Sequence, residues 1–201
     1  MPEISLKTPE EIAKMRLGGK IAAQVLSELS KAAKTGVSVL ELDSLAERII
    51  REAGAKPSFR GFRGYPAATC ISVNEEIVHG IPSDRKLKEG DIVGIDVGVL
   101  YEGFHTDSAV SVGIGKITPE AQKLLDTTKK ALEEAIKIIK PGIHLGDIQA
   151  VIQEQADKAG FGIIRPNGSW GGAFFAGSAE YSKLWRKRPR NRFERGDGFG
   201  Y

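Results

Sequence analysis

The chain of 201 residues predicts a mixed α/β (α+β) fold, in which an antiparallel sheet is covered by two helix pairs. Three observations predict it. Two capped amphipathic helix patterns open the chain, alternating apolar segments follow, and a second capped helix pair comes after them. A gap-free offset of 106 residues then lays the second pair on the first: Lys34 on Lys140, Gly36 on Gly142, Glu41 on Asp147, Leu45 on Val151 and Gly54 on Gly160. Two related halves about a pseudo-two-fold axis account for this; generic likeness between amphipathic helices is the alternative.

Each element has its own signal. Thr8-Pro9-Glu10-Glu11 supplies an N-cap, a proline at the first helical position and a glutamate three residues after the cap. Ile12, Met15, Ile21, Val25 and Leu29 follow as a helical stripe. Ser38 with Glu41 opens a second helix that stops at Gly54, its core side being Leu42, Leu45 and Ile49. Thr69 to Val73, Asp91 to Val99 and Phe104 to Ile114 alternate as strands, with a turn around Tyr101-Glu102-Gly103. Thr118-Pro119-Glu120 opens a long helix with Leu124, Leu125, Leu132, Ile136 and Ile139 on its apolar face, ended by Lys140-Pro141-Gly142. A shorter helix runs from about Leu145 to Gly160.

Composition removes several classes. Hydrophobic residues at 41% and charged residues at 27% exclude disordered and fibrous chains. No apolar run reaches the roughly 20 residues of a membrane span, and Met1-Pro2-Glu3 lacks a signal-peptide layout. One cysteine, Cys70, excludes an internal disulfide and fits a cytoplasmic protein. The net charge of +3 is too weak to imply nucleic acid.

The chemistry concentrates on Asp96 and Asp107. A symmetric turn midway between residues 101 and 102 would place these carboxylates directly opposite each other, with Cβ atoms about 5 Å apart. Like charges there destabilise a sheet, and a cation between them is the natural remedy. Val93, Ile95, Val97 and Val99 form one face of the strand, while Gly94, Asp96 and Gly98 leave the other open. Flanking glycines weaken a strand, which a merely solvated face does not explain. Paired hard oxygen donors suit a two-metal hydrolytic site. His79, in Val78-His79-Gly80-Ile81-Pro82, is a polar side chain in a tight segment after a strand. His105 shares the Asp107 face and is a further candidate ligand, whereas His144 reads as a helix cap or a solvated residue. Cys70 reads as core, with no histidine spacing for a cysteine nucleophile. Gly61-Phe62-Arg63-Gly64-Tyr65 lacks the lysine and helix start of a P-loop. It reads instead as a loop whose Phe59, Phe62 and Tyr65 form an apolar pocket wall or anchor the loop to the core.

On these residues the chain resembles the type I methionine aminopeptidases. The matching stretches are Gly64-Tyr65-Pro66, Cys70-Ile71-Ser72-Val73-Asn74-Glu75, Val78-His79-Gly80-Ile81-Pro82, Asp91-Ile92-Val93, Ile95-Asp96-Val97-Gly98 and Asp107, over Ile4 to about Arg165. The resemblance implies the pseudo-symmetric pita-bread fold and removal of the initiator methionine from nascent polypeptides. It implies two divalent ions (cobalt, manganese, iron, zinc or nickel undistinguished), with Asp96 chelating one and Asp107 bridging both. His79 would meet the substrate or scissile amide; Phe59, Phe62, Tyr65 and Cys70 would line the methionine pocket. His105 is not a ligand in that family. A monomer acting at or near the ribosome, with no membrane or specific nucleic acid, is the expected setting.

The resemblance then breaks. The family takes one more His and two Glu ligands from its second half, the His in a Gly-His-Gly motif. Here Ser169-Trp170-Gly171 stands in that place, and no histidine follows His144. Residues 165–201 hold eight basic and three acidic residues and eight of the fourteen aromatics. The sequence groups 1–164 as one aminopeptidase-like domain and 165–201 as an aberrant, poorly packed tail. The genetic code permits codons for Asn167–Trp170, Tyr181–Trp185 and Phe193–Tyr201 that, read one base on, give Thr-Gly-His, Ile-Pro-Asn-Tyr and Leu-Lys-Glu-Gly-Met-Val-Leu-Ala. The expectation is a frameshift between Ile164 and Asn167, a second half without its hairpin, and a chain inactive as written. The alternative is a non-catalytic pita-bread binding module that meets ribosome or RNA through its basic tail.

Overall fold

The computed structural model describes residues 6–164 and the short strand 173–175. The expected boundary near Arg165, the tail apart from 173–175 and the reading-frame expectation lie outside the described residues. The chain divides at Thr118–Pro119 into two compact units.

In the first unit, helix α1 spans Pro9–Ala32 and helix α2 spans Val39–Glu52. Both begin with complete capping boxes, at Thr8 with Glu11 and at Ser38 with Glu41. Four antiparallel strands follow: β1 Lys56–Pro57, β2 Thr69–Val73, β3 Ile92–Tyr101 and β4 Phe104–Gly113. Strand β3 is central, pairing with β1 and β2 along one edge and with β4 along the other. Val93, Ile95, Val97 and Val99 are fully buried and join Val25, Leu29, Leu42 and Ile50 of the two helices in one core. The expected apolar face of β3 is therefore the face that meets the helices, and the Gly94-Asp96-Gly98 face points the other way.

The second unit holds helix α3, Pro119–Lys137, helix α4, Leu145–Ala159, and a short antiparallel pair, β5 Gly162–Ile164 with β6 Ala173–Phe175. Helix α3 ends three residues short of Lys140. Its buried residues are Ala131 and Ala135, whereas Leu132, Ile136 and Ile139 are 57%, 56% and 59% exposed, contrary to the expected core face. Helical spacing identified an apolar stripe; a stripe is buried only where something packs on it.

The repeat is visible in backbone geometry. Gly36 and Gly142 both have φ of 89°, and Gly54 and Gly160, just past α2 and at the end of α4, have φ of 73° and 80°. Ser38 and His144 are both N-caps whose own N–H donates to the acidic side chain three residues on, Glu41 or Asp147. His144 is thus a cap, one of its two expected roles. No helix among the described residues is long and apolar enough to cross a membrane.

Candidate active site

The site is built on the open face of the sheet in the first unit. Its geometry corrects one expectation. The β3–β4 hairpin closes through a two-residue turn, Glu102-Gly103, with φ of 49° and 84°, so Tyr101 pairs with Phe104. Positive φ at both corners is the type I′ geometry that matches strand twist. The turn is centred one residue later than a symmetric turn between 101 and 102, and the register moves by two. Asp107 lies opposite Gly98 and Asp96 opposite Ala109, so the two carboxylates are diagonal neighbours rather than directly opposed. A slip of two keeps every side chain on its face. Small residues, Ala109 and Gly98, stand across from the two carboxylates.

Electrostatics mark the pair. Burial first, and the adjacent Asp107 carboxylate second, push the Asp96 carboxyl up to about 7. A carboxylate so placed is poorly compensated by the protein alone, and a divalent cation supplies the missing charge. Two hard oxygens on an open face therefore fit such an ion. Among the described residues no group of three or more His, Cys, Asp or Glu side chains forms around it.

The remaining candidates surround this face. Cys70 of β2 lies opposite Asp96, is only 5% exposed, and has its thiol pushed up to about 11, chiefly by burial. Its Sγ is 3.9 Å from His79 Nδ1. His79 has φ of 59°, uncommon for a non-glycine residue, and the neighbouring Gly80 explains the constraint. A Cβ at Gly80 would fall inside van der Waals contact with the Ile71 carbonyl oxygen, and the Ile71 N–H donates to the Gly80 carbonyl at 2.9 Å. The loop that carries His79 is thus pressed onto β2 at the one residue that allows it.

Phe59 covers Gly98: a Cβ there would lie 2.5 Å from the Phe59 ring and 2.7 Å from Ser58 Cβ. The glycine across from Asp107 is therefore a seat for the Phe59 ring, where the sequence pattern implied an opening. Tyr65 is half-buried, and burial raises its hydroxyl's pKa. Phe62 is 61% exposed, with the Arg63 guanidinium carbon 5.4 Å from its ring centre. His105 lies on the Asp107 face as expected, and its Nδ1 is hydrogen-bonded with Ser58 Oγ beside the Phe59 seat.

Two features escaped the sequence reading. Ser58 is the partner of His105, which only the fold brings together across 47 residues. Asp43 is a buried carboxylate at 3% exposure. It does leave a trace: it falls on the stripe of Val39, Leu42, Ala46, Ile49 and Ile50, where an apolar residue belongs.

Comparison with known proteins settles the lineage. The model of metallopeptidase family M24 matches residues 13–191. The chain belongs to metallopeptidase family M24. It is 44% identical to methionine aminopeptidase 1 of Bacillus subtilis over 162 residues, which are 81% of this chain and 65% of that protein. A crystal structure of methionine aminopeptidase from Thermotoga maritima matches with a TM-score of 0.79 at 44% identity, over 81% of this chain and 66% of that one. Prolidase from Pyrococcus furiosus shares the fold, with a TM-score of 0.71 at 24% identity, over 78% of this chain and 45% of that one. The M24 chain therefore has the mixed α/β pita-bread fold, and it spans about two-thirds of the length of its methionine aminopeptidase relatives. Family membership implies divalent metal ions, and Asp96 with Asp107 are the described residues suited to hold them.

Proposed function

We propose that this fold serves metal-dependent removal of the N-terminal methionine from nascent proteins. The observation that carries the reading is the pair Asp96 and Asp107 on an open sheet face bordered by Phe59, Cys70 and His79. Asp96 and Asp107 would hold the divalent ions, two of them by resemblance. When bound, such ions polarise a carbonyl and activate water. The chain's own residues do the rest. Phe59, Tyr65 and Cys70 exclude water from an apolar pocket that suits a thioether side chain, with Phe62 at its rim. His79 turns Nδ1 toward Cys70, which leaves Nε2 on the other side of the ring to hold a proton at the scissile amide.

The 201 residues supply Asp96 and Asp107, while Ser169-Trp170-Gly171 stands where the resemblance implies the Gly-His-Gly histidine. We therefore propose that it does not turn over as written, and that restoring the reading frame near Arg165 returns activity. A Met-Gly-type peptide with cobalt or manganese tests this. The restored protein should release methionine, and the 201-residue protein should not. Turnover by the 201-residue protein that is lost in Asp96→Asn would overturn the missing-ligand argument. Turnover that survives Asp96→Asn would overturn the site itself.

A further inference from the structure

Asp43 is a buried carboxylate that neither metal nor proton chemistry uses. A carboxylate inside a protein is costly unless it is hydrogen-bonded, and this one is. Its Oδ1 accepts from the Ala68 N–H at 3.0 Å, the Thr69 N–H at 2.8 Å and the Thr69 hydroxyl at 2.7 Å. Its Oδ2 lies 3.8 Å from the Arg60 guanidinium, which also reaches Glu47 at 2.6 Å. One side chain of helix α2 thus grips both ends of the loop 60–68. Phe59 lies just before that loop, and Cys70 just after it.

The grip continues inward. The Tyr65 hydroxyl lies 3.0 Å from both the Thr69 and the Gly80 carbonyl oxygens, its proton shared between them. Gly80 follows His79, and Cys70 Sγ meets His79 Nδ1. Asp43, Thr69, Tyr65 and Gly80 form one hydrogen-bonded line from the outer helix to the pocket wall. We propose that Asp43 is a positioning residue for the substrate pocket, holding the start of β2 and the 60–68 loop in register with the two metal-site carboxylates. The proposal rests on the pocket reading above for its meaning, but its measurement does not.

Cys70 is the chain's sole cysteine and so an intrinsic reporter. In the 201-residue protein without ligand, its alkylation by iodoacetamide, divided by the thiolate fraction that each variant's pH–rate profile gives, reads local opening of β2. Asp43→Ala strips the acceptor from two N–H groups and a hydroxyl and should speed alkylation about tenfold. Asp43→Asn keeps one carbonyl oxygen and should speed it only about threefold, a partial rescue. Ala46→Gly loosens the same helix while keeping the Asp43 carboxylate and its three donors, and should leave the rate near the parent's at a comparable loss of global stability. If Ala46→Gly accelerates alkylation as much as Asp43→Ala, the role is merely structural and the proposal fails. Should Asp43→Ala not fold, Asp43→Asn and Thr69→Val are compared with the parent; acceleration in both supports the grip, and parent rates overturn it. Free L-methionine tests the pocket separately. Protection of Cys70 supports the pocket reading, whereas no protection sinks that reading and leaves the Asp43 series to stand or fall by its own rates.

Discussion

The helix pairs α1–α2 and α3–α4 begin from closely related signals and end in different surroundings. Both second helices start at a residue whose N–H donates to an acidic side chain three positions on, and both are followed by a left-handed glycine. Yet α1 and α2 bury Val25, Leu29, Leu42 and Ile50 completely, while the buried residues of α3 and α4 are three alanines, Ala131, Ala135 and Ala156. Helix α1 packs on the ten-residue strands β3 and β4, and α2 on β1 and β2 of the same sheet; the strands described in the second unit are three residues long. Capping and periodicity make a helix, but a broad sheet is what gives its apolar stripe something to cover.

The comparison can be broken most sharply at the metal site, since Asp96 and Asp107 both lie in the first unit. Calorimetric titration with cobalt or manganese should show weak binding that Asp107→Ala and Asp96→Asn each abolish. Tight binding of two ions would mean that further ligands exist beyond this pair. Core truncation comes next. Leu29→Ala should cost about 2–5 kcal/mol in denaturant unfolding, whereas Ile136→Ala should stay within about 0.5 kcal/mol. A large cost at Ile136 would show that the α3 face is covered in solution.

The caps give a smaller, sharper contrast. Ser38 accepts from the Glu41 N–H at 3.1 Å through its hydroxyl, so Ser38→Ala should cost about 1 kcal/mol. His144 contributes its backbone N–H, which alanine retains, and His144→Ala should change stability by less than about 0.5 kcal/mol. The smallest effect expected is at acid pH. Burial raises the Asp91 carboxyl, but hydrogen bonds from the Asn74 amide and the Lys88 N–H, with nearby cations, outweigh it and hold the carboxyl below its ordinary range. A lowered folded value stabilises above the unfolded pKa of about 4 and is lost as pH falls through the folded one. Asp91→Asn should flatten that acid limb in pH-dependent unfolding.

Much of this was legible in residue order. Thr8 and Ser38 announced their helices, Thr69–Val73 its strand, and Gly94 beside Asp96 an open face, because each is a local rule of capping, alternation or steric room. The register at Asp107 was harder. It hung on whether Glu102 would accept a left-handed φ, and glutamate seldom does so without a hairpin to close. Phe59 over Gly98 and Ser58 with His105 are contacts between distant segments, and periodicity carries no information about them.

The short strands β1, β5 and β6 left no signal in residue order. Residue order alone does carry the four helices and strands β2, β3 and β4, which face of β3 is apolar, and that two carboxylates share the other. Those are consequences of local backbone preference and side-chain period. Tertiary structure alone decided that the carboxylates are diagonal, that Asp43 is gripped by β2 rather than solvated, and that Leu132 and Ile136 stay exposed. The physical reason is common to all three. Each depends on what a distant stretch of chain places against the residue, and that partner enters only when the chain folds.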